Sequence, residues 1–198
     1  MSLVLAFTGS KQAIIGGDKR SIDFFGPCQE LEEELYSGKI RTDEELKARA
    51  VEACATIQVS DCREKVWKRG EILVGEVTER SLTSDKRRRI YLMPGAYFIA
   101  DIDNGIARTT GNGRSACIAL GNKITKQIAG ELIGKAGGRI DESLVGKVFE
   151  QARDRTPTVS QDHIVLSTTA LVKNPEAALM QALKEDCEKS GWMLCAQQ

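Results

Sequence analysis

The sequence of 198 residues has no excess of either charge and no long apolar run. Its 28 basic and 28 acidic residues balance, which argues against a general nucleic-acid or membrane-surface binder, because such proteins carry a basic excess. No apolar stretch approaches the roughly 20 residues that span a bilayer, and residues 3–7 are too short for the core of a signal peptide. We therefore expect a soluble, cytoplasmic protein that neither inserts into a membrane nor binds nucleic acid.

Histidine is nearly absent, and the cysteines are not spaced as metal ligands. The one histidine is His163, and the six cysteines include no Cys-x-x-Cys pair. Because zinc sites draw on closely spaced cysteine and histidine ligands, the sequence indicates neither a metal site nor a cofactor. His163 precedes a strongly apolar segment, so we interpret it as structural rather than catalytic.

Hydrophobic periodicity predicts an α+β fold with a substantial antiparallel sheet. A hairpin opens the chain, residues 21–27 are predicted to form a loop, and an acidic helix covers residues 29–36. A second helix is predicted to place Val51 and Cys54 on its apolar face. Strands dominate residues 56–120, and the remainder of the chain alternates helix and strand.

Ser2 is the most informative residue, because a small second residue allows removal of the initiator methionine. Ser2 would then carry a hydroxyl nucleophile next to a free α-amine, whose reference pKa of about 7.7–8.0 lets it accept the hydroxyl proton near neutral pH. The chain turns at residues 9–11 and returns as a strand that ends in Asp18-Lys19-Arg20. This hairpin brings a carboxylate, Asp18, back beside the first residue. The alternative is a hairpin that only secures the terminus.

Residues 2–20 resemble the first hairpin of proteasome β subunits, in which a nucleophile begins one strand and the next strand ends in an Asp-basic-Arg motif. The resemblance implies an Ntn-hydrolase-like (N-terminal-nucleophile) fold, which is an αββα four-layer sandwich. It assigns the role of nucleophile to Ser2 and the aspartate position of that family to Asp18.

Arginine occupies the position of the catalytic lysine in that family. Arg89 precedes an aliphatic and an aromatic residue, as that lysine does. A guanidinium cannot shuttle a proton, so Arg89 is expected to supply positive potential that lowers the pKa of the amine or steadies Asp18. Lys19 and Lys86 are the other candidates for the role of the lysine.

Further segments resemble a related family, the connectases, which are proteasome-β-related proteins of methanogenic archaea. The similar segments are Gly-Gly-Asp-Lys-Arg, Glu-Leu-Glu-Glu-Glu-Leu-Tyr-Ser-Gly, Arg-Thr-Asp-Glu-Glu-Leu and Gly-Glu-Val-Thr-Glu-Arg. The resemblance covers essentially the whole chain. It implies a single domain over residues 1–198 with an insertion at about residues 27–85, and a monomer that acts without a ring. Some relatives carry an additional small C-terminal domain, which we do not expect in a sequence of this length.

Connectases are sequence-specific protein ligases, and the resemblance implies the same activity here. The substrate element of the family is Lys-Asp-Pro-Gly-Ala, found in the A subunit of a membrane methyltransferase of methanogens. By this resemblance Ser2 Oγ attacks the Asp–Pro carbonyl, the α-amine accepts the hydroxyl proton, and Asp18 orients that amine with Arg89 nearby. A Pro-Gly-Ala amine then displaces the bound fragment and rebuilds a peptide bond.

Ligation by this route depends on the exclusion of water, because exchange of one peptide bond for another is nearly thermoneutral. We expect residues 29–80 to supply a lid over the acyl-enzyme. The acidic residues 32–34 and the pair Arg87 and Arg88 are the candidate partners for the lysine and the aspartate of the substrate.

Asp154 and Ser115 complete the candidate site. Asp154 ends a helix, in a setting similar to that of a second proteasomal aspartate, and the alternative is a charged helix end. Ser115, with Gly111 and Gly113, either supplies oxyanion donors or forms only a hairpin turn. Two other functions also remain open, namely a proteasome-like peptidase that hydrolyses its acyl-enzyme and a catalytically inactive Ntn-fold binding protein.

Overall fold

The computed structural model describes residues 3–26, 28–80 and 85–195, which form twelve strands and five helices. The strands are β1 (Leu3–Thr8), β2 (Ala13–Asp18), β3 (Ser21–Phe25), β4 (Thr56–Ser60), β5 (Val66–Arg69), β6 (Ile72–Arg80), β7 (Asp85–Met93), β8 (Ala96–Asp103), β9 (Ile106–Gly113), β10 (Ala116–Gly121), β11 (His163–Thr168) and β12 (Met193–Leu194). The helices are α1 (Gln29–Ser37), α2 (Asp43–Glu52), α3 (Lys123–Lys135), α4 (Glu142–Arg155) and α5 (Pro175–Ser190).

The described strands pair in three sheets. An antiparallel four-stranded sheet has the order β10-β1-β2-β11. A six-stranded sheet has the order β12-β9-β8-β7-β6-β5, in which β12 pairs in parallel with β9 and the other pairs are antiparallel. The strands β3 and β4 pair with each other in a two-stranded sheet. The predicted opening hairpin is confirmed as β1 and β2.

Alternating side chains bury both faces of β1 and stack the layers. Leu3 and Leu5 pack in the core shared with α3 and α4, whereas Val4 packs between the two large sheets. This is the two-residue period of a strand that is covered on both sides. On the far side of the six-stranded sheet, Tyr91 and Met93 pack against α5. The layers therefore follow the order α3 and α4, four-stranded sheet, six-stranded sheet, α5.

Residues 21–60 form a smaller unit, here called the side module, with an apolar core of its own. The elements β3, α1, α2 and β4 contribute to this core, and Leu35 and Leu46 are among its fully buried residues. The predicted acidic helix is confirmed as α1, and it ends at Gly38, whose φ of +85° suits glycine. The predicted loop at residues 21–27 is wrong over Ser21–Phe25, because those residues pair with β4; Pro27 lies outside the described residues.

The predicted apolar face of the second helix is too wide. The described side chains that α2 buries are Leu46 and Ala50, whereas Val51 is 77% exposed and Cys54 is also exposed. Since the side module offers α2 one packing surface, one stripe of side chains suffices. The predicted insertion at 27–85 divides between two units, because β5 and β6 pair in the six-stranded sheet rather than in the side module.

Among the described residues, no helix is both long enough and apolar enough to cross a membrane.

Candidate active site

Asp18 ends β2 and is fully buried beside the start of β1. Its Oδ1 accepts a hydrogen bond from the Leu3 N–H at 2.9 Å, and its Oδ2 accepts one from the Arg20 N–H at 2.8 Å. The Ser160 N–H also donates to Oδ2, at 3.4 Å. A carboxylate held by several backbone donors is fixed in position. Asp18 thus contacts the residue that follows Ser2, while Ser2 itself lies outside the described residues.

Lys65 provides the cation that pairs with Asp18. Its Nζ donates to Asp18 Oδ1 at 2.8 Å and to the Arg20 carbonyl oxygen at 2.6 Å. Lys65 is 6% exposed and immediately precedes β5. The Lys65 carbonyl in turn accepts the Glu76 N–H of β6 at 2.8 Å, which ties the backbone of Lys65 to the six-stranded sheet. The buried ion pair therefore links the two large sheets at the start of β1.

Burial lowers the pKa of Lys65 to about 8. Loss of hydration is the largest cause, and the charge of Asp18 and its hydrogen bond oppose it. The nearby cation Arg63 lowers the pKa further. An ammonium with a pKa near neutrality can both give and take a proton at working pH, which an ordinary lysine does not do readily. Lys65 is accordingly suited to proton transfer beside the start of β1.

Gly17 lets β5 approach β2 closely enough to form this pair. A Cβ atom at Gly17 would lie 2.8 Å from Val66 Cγ1 and 3.4 Å from Lys65 Cβ. The shorter separation is too close for a real contact, so any side chain at Gly17 would push β5 away. This is a packing reason for the glycine that precedes Asp18.

Gly17→Ala is expected to lower the free energy of unfolding by about 1–3 kcal/mol, the usual cost of an overpacked core. Urea denaturation measures this change. Gly9→Ala is the matched control, because a Cβ there would lie 3.4 Å from its nearest neighbour, Phe7 Cζ, at an ordinary contact distance. Equal stability of the two variants would contradict the packing role of Gly17.

Arg20 anchors the side module to the main layers. Its guanidinium donates to Asp61 after β4, to Asp43 at the start of α2 and to the Pro157 carbonyl oxygen. The hydrogen bond from Arg20 is the largest cause that lowers the pKa of Asp61. The basic residue that ends the Asp-Lys-Arg motif therefore holds the side module beside Asp18.

Lys19 contributes its backbone rather than its ammonium to the described contacts of the site. The Lys19 N–H donates to Ser160 Oγ at 2.8 Å, and Ser160 Oγ donates to the Asp162 carbonyl oxygen. Ser160 was not among the predicted site residues. It lies in the loop between α4 and β11, and it supports Asp18 through both its backbone and, by way of Lys19, its side chain.

Arg89 lies in a separate ionic cluster. Its Nε and Nη2 donate to Glu76 Oε2 at 2.9 and 2.6 Å, and its Nη1 donates to Asp186 Oδ2 of α5 at 2.6 Å. The guanidinium lies 5.3 Å from the ring centre of Trp67 and 4.7 Å from that of Trp192. Such cation–π contacts and charge-assisted hydrogen bonds occupy the side chain completely.

The direction of Arg89 follows from the alternation of a strand. Ile90 packs between the two large sheets, so its neighbour Arg89 faces the opposite way, toward α5. No contact among the described residues joins Arg89 to Asp18. The cation that the structure brings to Asp18 is Lys65 instead.

Ser115 lies at the other end of β1. It is exposed in the turn between β9 and β10, after Gly111 and Gly113, and the next residue, Ala116, pairs with Thr8. A strand rises about 3.3 Å per residue, so the five steps from Leu3 to Thr8 separate these ends by roughly 17 Å. The structure does not bring Ser115 to Asp18.

Asp154 and Lys86 are also outside the ion pair of Asp18. Asp154 is exposed on α4 and accepts a hydrogen bond from Arg153 Nε at 2.9 Å. Lys86 is exposed on β7, one strand beyond β6. Neither side chain has a described contact with Asp18.

One sequence signal could have identified Lys65. The pattern used to select Arg89 was a cation before an aliphatic and an aromatic residue, and Lys65-Val66-Trp67 fits it as well as Arg89-Ile90-Tyr91 does. The pattern alone cannot choose between them, since it occurs at two places in the same sheet, directly before and at the start of β5 and within β7. The contact with Asp18 makes the choice.

Among residues 3–26, 28–80 and 85–195, no three or more histidine, cysteine, aspartate or glutamate side chains are grouped so that they could hold a metal ion.

Comparison with known protein families identifies a related family. The sequence profile of the family described as "Connectase MJ0548-like, N-terminal domain" matches residues 1–188, which is nearly the whole chain. Comparison with curated proteins gives no match. The match confirms the resemblance that the sequence motifs indicated, and the chain belongs to the connectase family.

Proposed function

We propose that this protein is a sequence-specific protein ligase that cleaves and rejoins a Lys-Asp-Pro-Gly-Ala element through an acyl-enzyme on Ser2. The observation that carries the proposal is the buried ion pair of Asp18 and Lys65. Asp18 also accepts a hydrogen bond from the N–H of Leu3, the residue directly after Ser2. Membership in the connectase family supports the class of reaction. The order of layers, helices, sheet, sheet and helix, supports an Ntn-hydrolase-like fold as part of the same proposal.

The first half of the proposed reaction forms an ester. After removal of Met1, Ser2 Oγ attacks the carbonyl carbon of the Asp–Pro bond, and its proton passes to the free α-amine. Collapse of the tetrahedral intermediate breaks the C–N bond, and the same proton reaches the proline nitrogen as it leaves. The product is an ester between Ser2 and the fragment that ends in aspartate.

The second half reverses these steps with a different amine. The nitrogen of an incoming Pro-Gly-Ala terminus attacks the ester, its proton returns to Ser2 Oγ, and a new Asp–Pro bond forms. Because one peptide bond replaces another, the yield depends on keeping water from the ester. The side module, which Arg20 anchors beside Asp18, is the element that we propose shields it.

In this mechanism Lys65 takes the role that the sequence offered to Arg89. A lysine can exchange a proton, whereas a guanidinium stays charged. With a pKa of about 8, Lys65 can stabilise negative charge on Ser2 Oγ and relay its proton. Asp18 holds Lys65 in place and is a positioning residue. The proposed substrate is a protein that bears the Lys-Asp-Pro-Gly-Ala element, such as the A subunit of the methyltransferase, and the proposed working form is a cytoplasmic monomer.

Intact mass spectrometry tests the proposal directly. The purified protein is expected to lack Met1, and incubation with a Lys-Asp-Pro-Gly-Ala peptide should add the mass of the fragment that ends in aspartate. A second peptide that begins Pro-Gly-Ala should then remove the adduct and yield a fused product. Ser2→Ala is the control that should give neither adduct nor product.

The alternatives give different masses. Cleaved peptide that accumulates without a fused product would indicate a proteasome-like peptidase. Retained Met1, with neither adduct nor cleavage, would contradict the enzyme and leave an Ntn-fold binding protein.

A further inference from the structure

A pocket of about 370 Å³ opens beside the start of β1. It lies between the end of β10 with the first turn of α3 on one side and the ends of β6, β7 and β8 on the other. Gly121, in its wall, is the backbone partner of Leu3, the residue after Ser2. Pockets that bind small ligands have volumes of about 300 Å³ or more. The volume of this pocket is therefore sufficient for the side chains of a short peptide segment.

Several charges of the wall are already neutralised. Arg88 Nε and Nη2 donate to the two carboxylate oxygens of Asp101 at 2.6 and 2.7 Å. Arg87 pairs with Asp85 at 2.9 Å and lies 3.5 Å from a Glu76 oxygen. The pair Arg87 and Arg88, which the sequence offered as substrate contacts, is therefore engaged within the protein.

A row of three charged residues in the wall is not neutralised in this way. Lys86 on β7 has Glu79 as its neighbour on β6 and Asp103 as its neighbour on β8. In the described part of the chain, no ion pair within 4.0 Å joins Lys86 to either carboxylate, and Asp103 Oδ1 is buried without a hydrogen-bond partner. A buried carboxylate oxygen without a donor is costly, so a donor from a bound molecule would be strongly favoured.

Lys126, in the first turns of α3, supplies a second cation from the opposite wall. No ion pair of Lys126 occurs among the described residues, and neither does one of Lys86. The pocket thus presents carboxylate oxygens at Asp103 and Glu79 and ammonium groups at Lys86 and Lys126. Such a wall complements a ligand that carries one positive and one negative group close together.

We propose that this pocket is the subsite for the two substrate residues that precede the cleaved bond, and that it selects a basic side chain followed by an acidic one. Asp103 accepts the hydrogen bonds of the basic side chain, and Lys126 with Lys86 binds the carboxylate of the acidic one. The proposal rests on the proposed function for the position of the cleaved bond and for the order of the two side chains, whereas the charges of the pocket wall carry the selection of one group of each sign. The charge pattern of the pocket selects the peptide whether or not Ser2 reacts.

Fluorescence anisotropy with a labelled Lys-Asp-Pro-Gly-Ala peptide tests the subsite on Ser2→Ala protein, which cannot form the ester. Peptides with norleucine in place of lysine, or asparagine in place of aspartate, measure the selection of each charge. Asp103→Asn is expected to weaken binding of the parent peptide about 10- to 100-fold, the range for a hydrogen bond to a charged group, and to remove the preference for lysine over norleucine. Lys126→Gln is expected to reduce the preference for aspartate over asparagine.

Glu150→Gln is the control for net charge, because Glu150 is exposed on α4 and does not line the pocket. In protein with Ser2 intact, Asp103→Asn should raise KM for acylation and leave kcat within about twofold, since the residue binds substrate before the transition state. A thermal melt confirms that each variant is folded.

The outcomes separate the two proposals. If Asp103→Asn protein still prefers lysine over norleucine, or if the peptide does not bind at all, the subsite is overturned. If the parent peptide binds with the expected preferences but protein with Ser2 intact forms no adduct, the subsite stands and the ligase proposal fails.

Discussion

Lys65→Met is expected to slow the acylation of Ser2 by about 10²- to 10⁴-fold near neutral pH, the contribution of one positioned acid–base group. Methionine matches the length of the lysine stem and keeps the site filled, so the change removes the ammonium without opening a large cavity. The buried carboxylate of Asp18 loses its cation but keeps its backbone donors. Rapid-quench mass spectrometry of the adduct measures the rate.

Two further variants identify the source of the effect. Lys68→Met removes an exposed lysine from β5, the strand that follows Lys65, and is expected to leave the acylation rate unchanged. Arg89→Lys keeps a positive charge in the cluster of Glu76 and Asp186, and is expected to alter stability more than rate. A folded Arg89→Lys protein that acylates as slowly as Lys65→Met would reinstate Arg89 as the working cation.

Asp18→Asn is expected to lower the free energy of unfolding by about 3–5 kcal/mol, because it leaves the buried charge of Lys65 without its partner. Acylation should fall as well, since the amide no longer fixes the ammonium beside the start of β1. Urea denaturation under reducing conditions measures the stability. The double variant Asp18→Asn with Lys65→Met is expected to recover part of the stability but none of the activity.

The cost of Asp18→Asn should also depend on pH, with a sign fixed by Lys65. The pKa of Lys65 is lowered to about 8 in the folded protein, against about 10.4 for a free lysine side chain. Between these values the unfolded chain binds more protons, so the stability of the wild-type protein rises with pH. Loss of Asp18 lowers the folded pKa further, so the stability of the variant begins to rise at a lower pH.

The difference between wild type and Asp18→Asn is therefore expected to be largest at a pH where Lys65 is charged in both proteins, to shrink as the pH rises towards about 8, and to level off above that value. A difference in the free energy of unfolding that stays constant over this range would contradict the prediction, because it would mean that the charge of Lys65 does not cause the destabilisation.

Local chemistry made several parts of the fold predictable. The alternation of β1 and β2 and the tight turn between them specified the opening hairpin, and Gly38 specified the end of α1. Asn174 and Pro175 are a local signal of the same kind, because Asn174 caps α5 and Pro175 is its first residue. Each of these depends on residues that are near one another in the chain, so that the sequence carries the whole signal.

The errors share a different cause. Ser21–Phe25 was predicted to be a loop because its partner strand, β4, lies more than thirty residues further along the chain. Val51 was assigned to an apolar face by periodicity, but the side module covers only a narrow stripe of α2. In both cases, burial and strand pairing depend on which surface the tertiary fold places next to the segment. The periodicity of the local sequence carries no information about that surface.

The sequence by itself determined the family and the hairpin that carries Asp18 back to the start of β1, because both are encoded in contiguous motifs. Only the tertiary structure decided which cation stands beside Asp18. Lys65 and Arg89 share one sequence pattern, yet strand alternation turns Arg89 toward α5, and the close approach of β5 at Gly17 brings the Lys65 ammonium to the carboxylate. Lys65 and Asp18 are 47 positions apart in the chain and meet only when the two large sheets pack. The packing of the layers therefore determines the geometry of this pair, and neither sequence segment determines it alone.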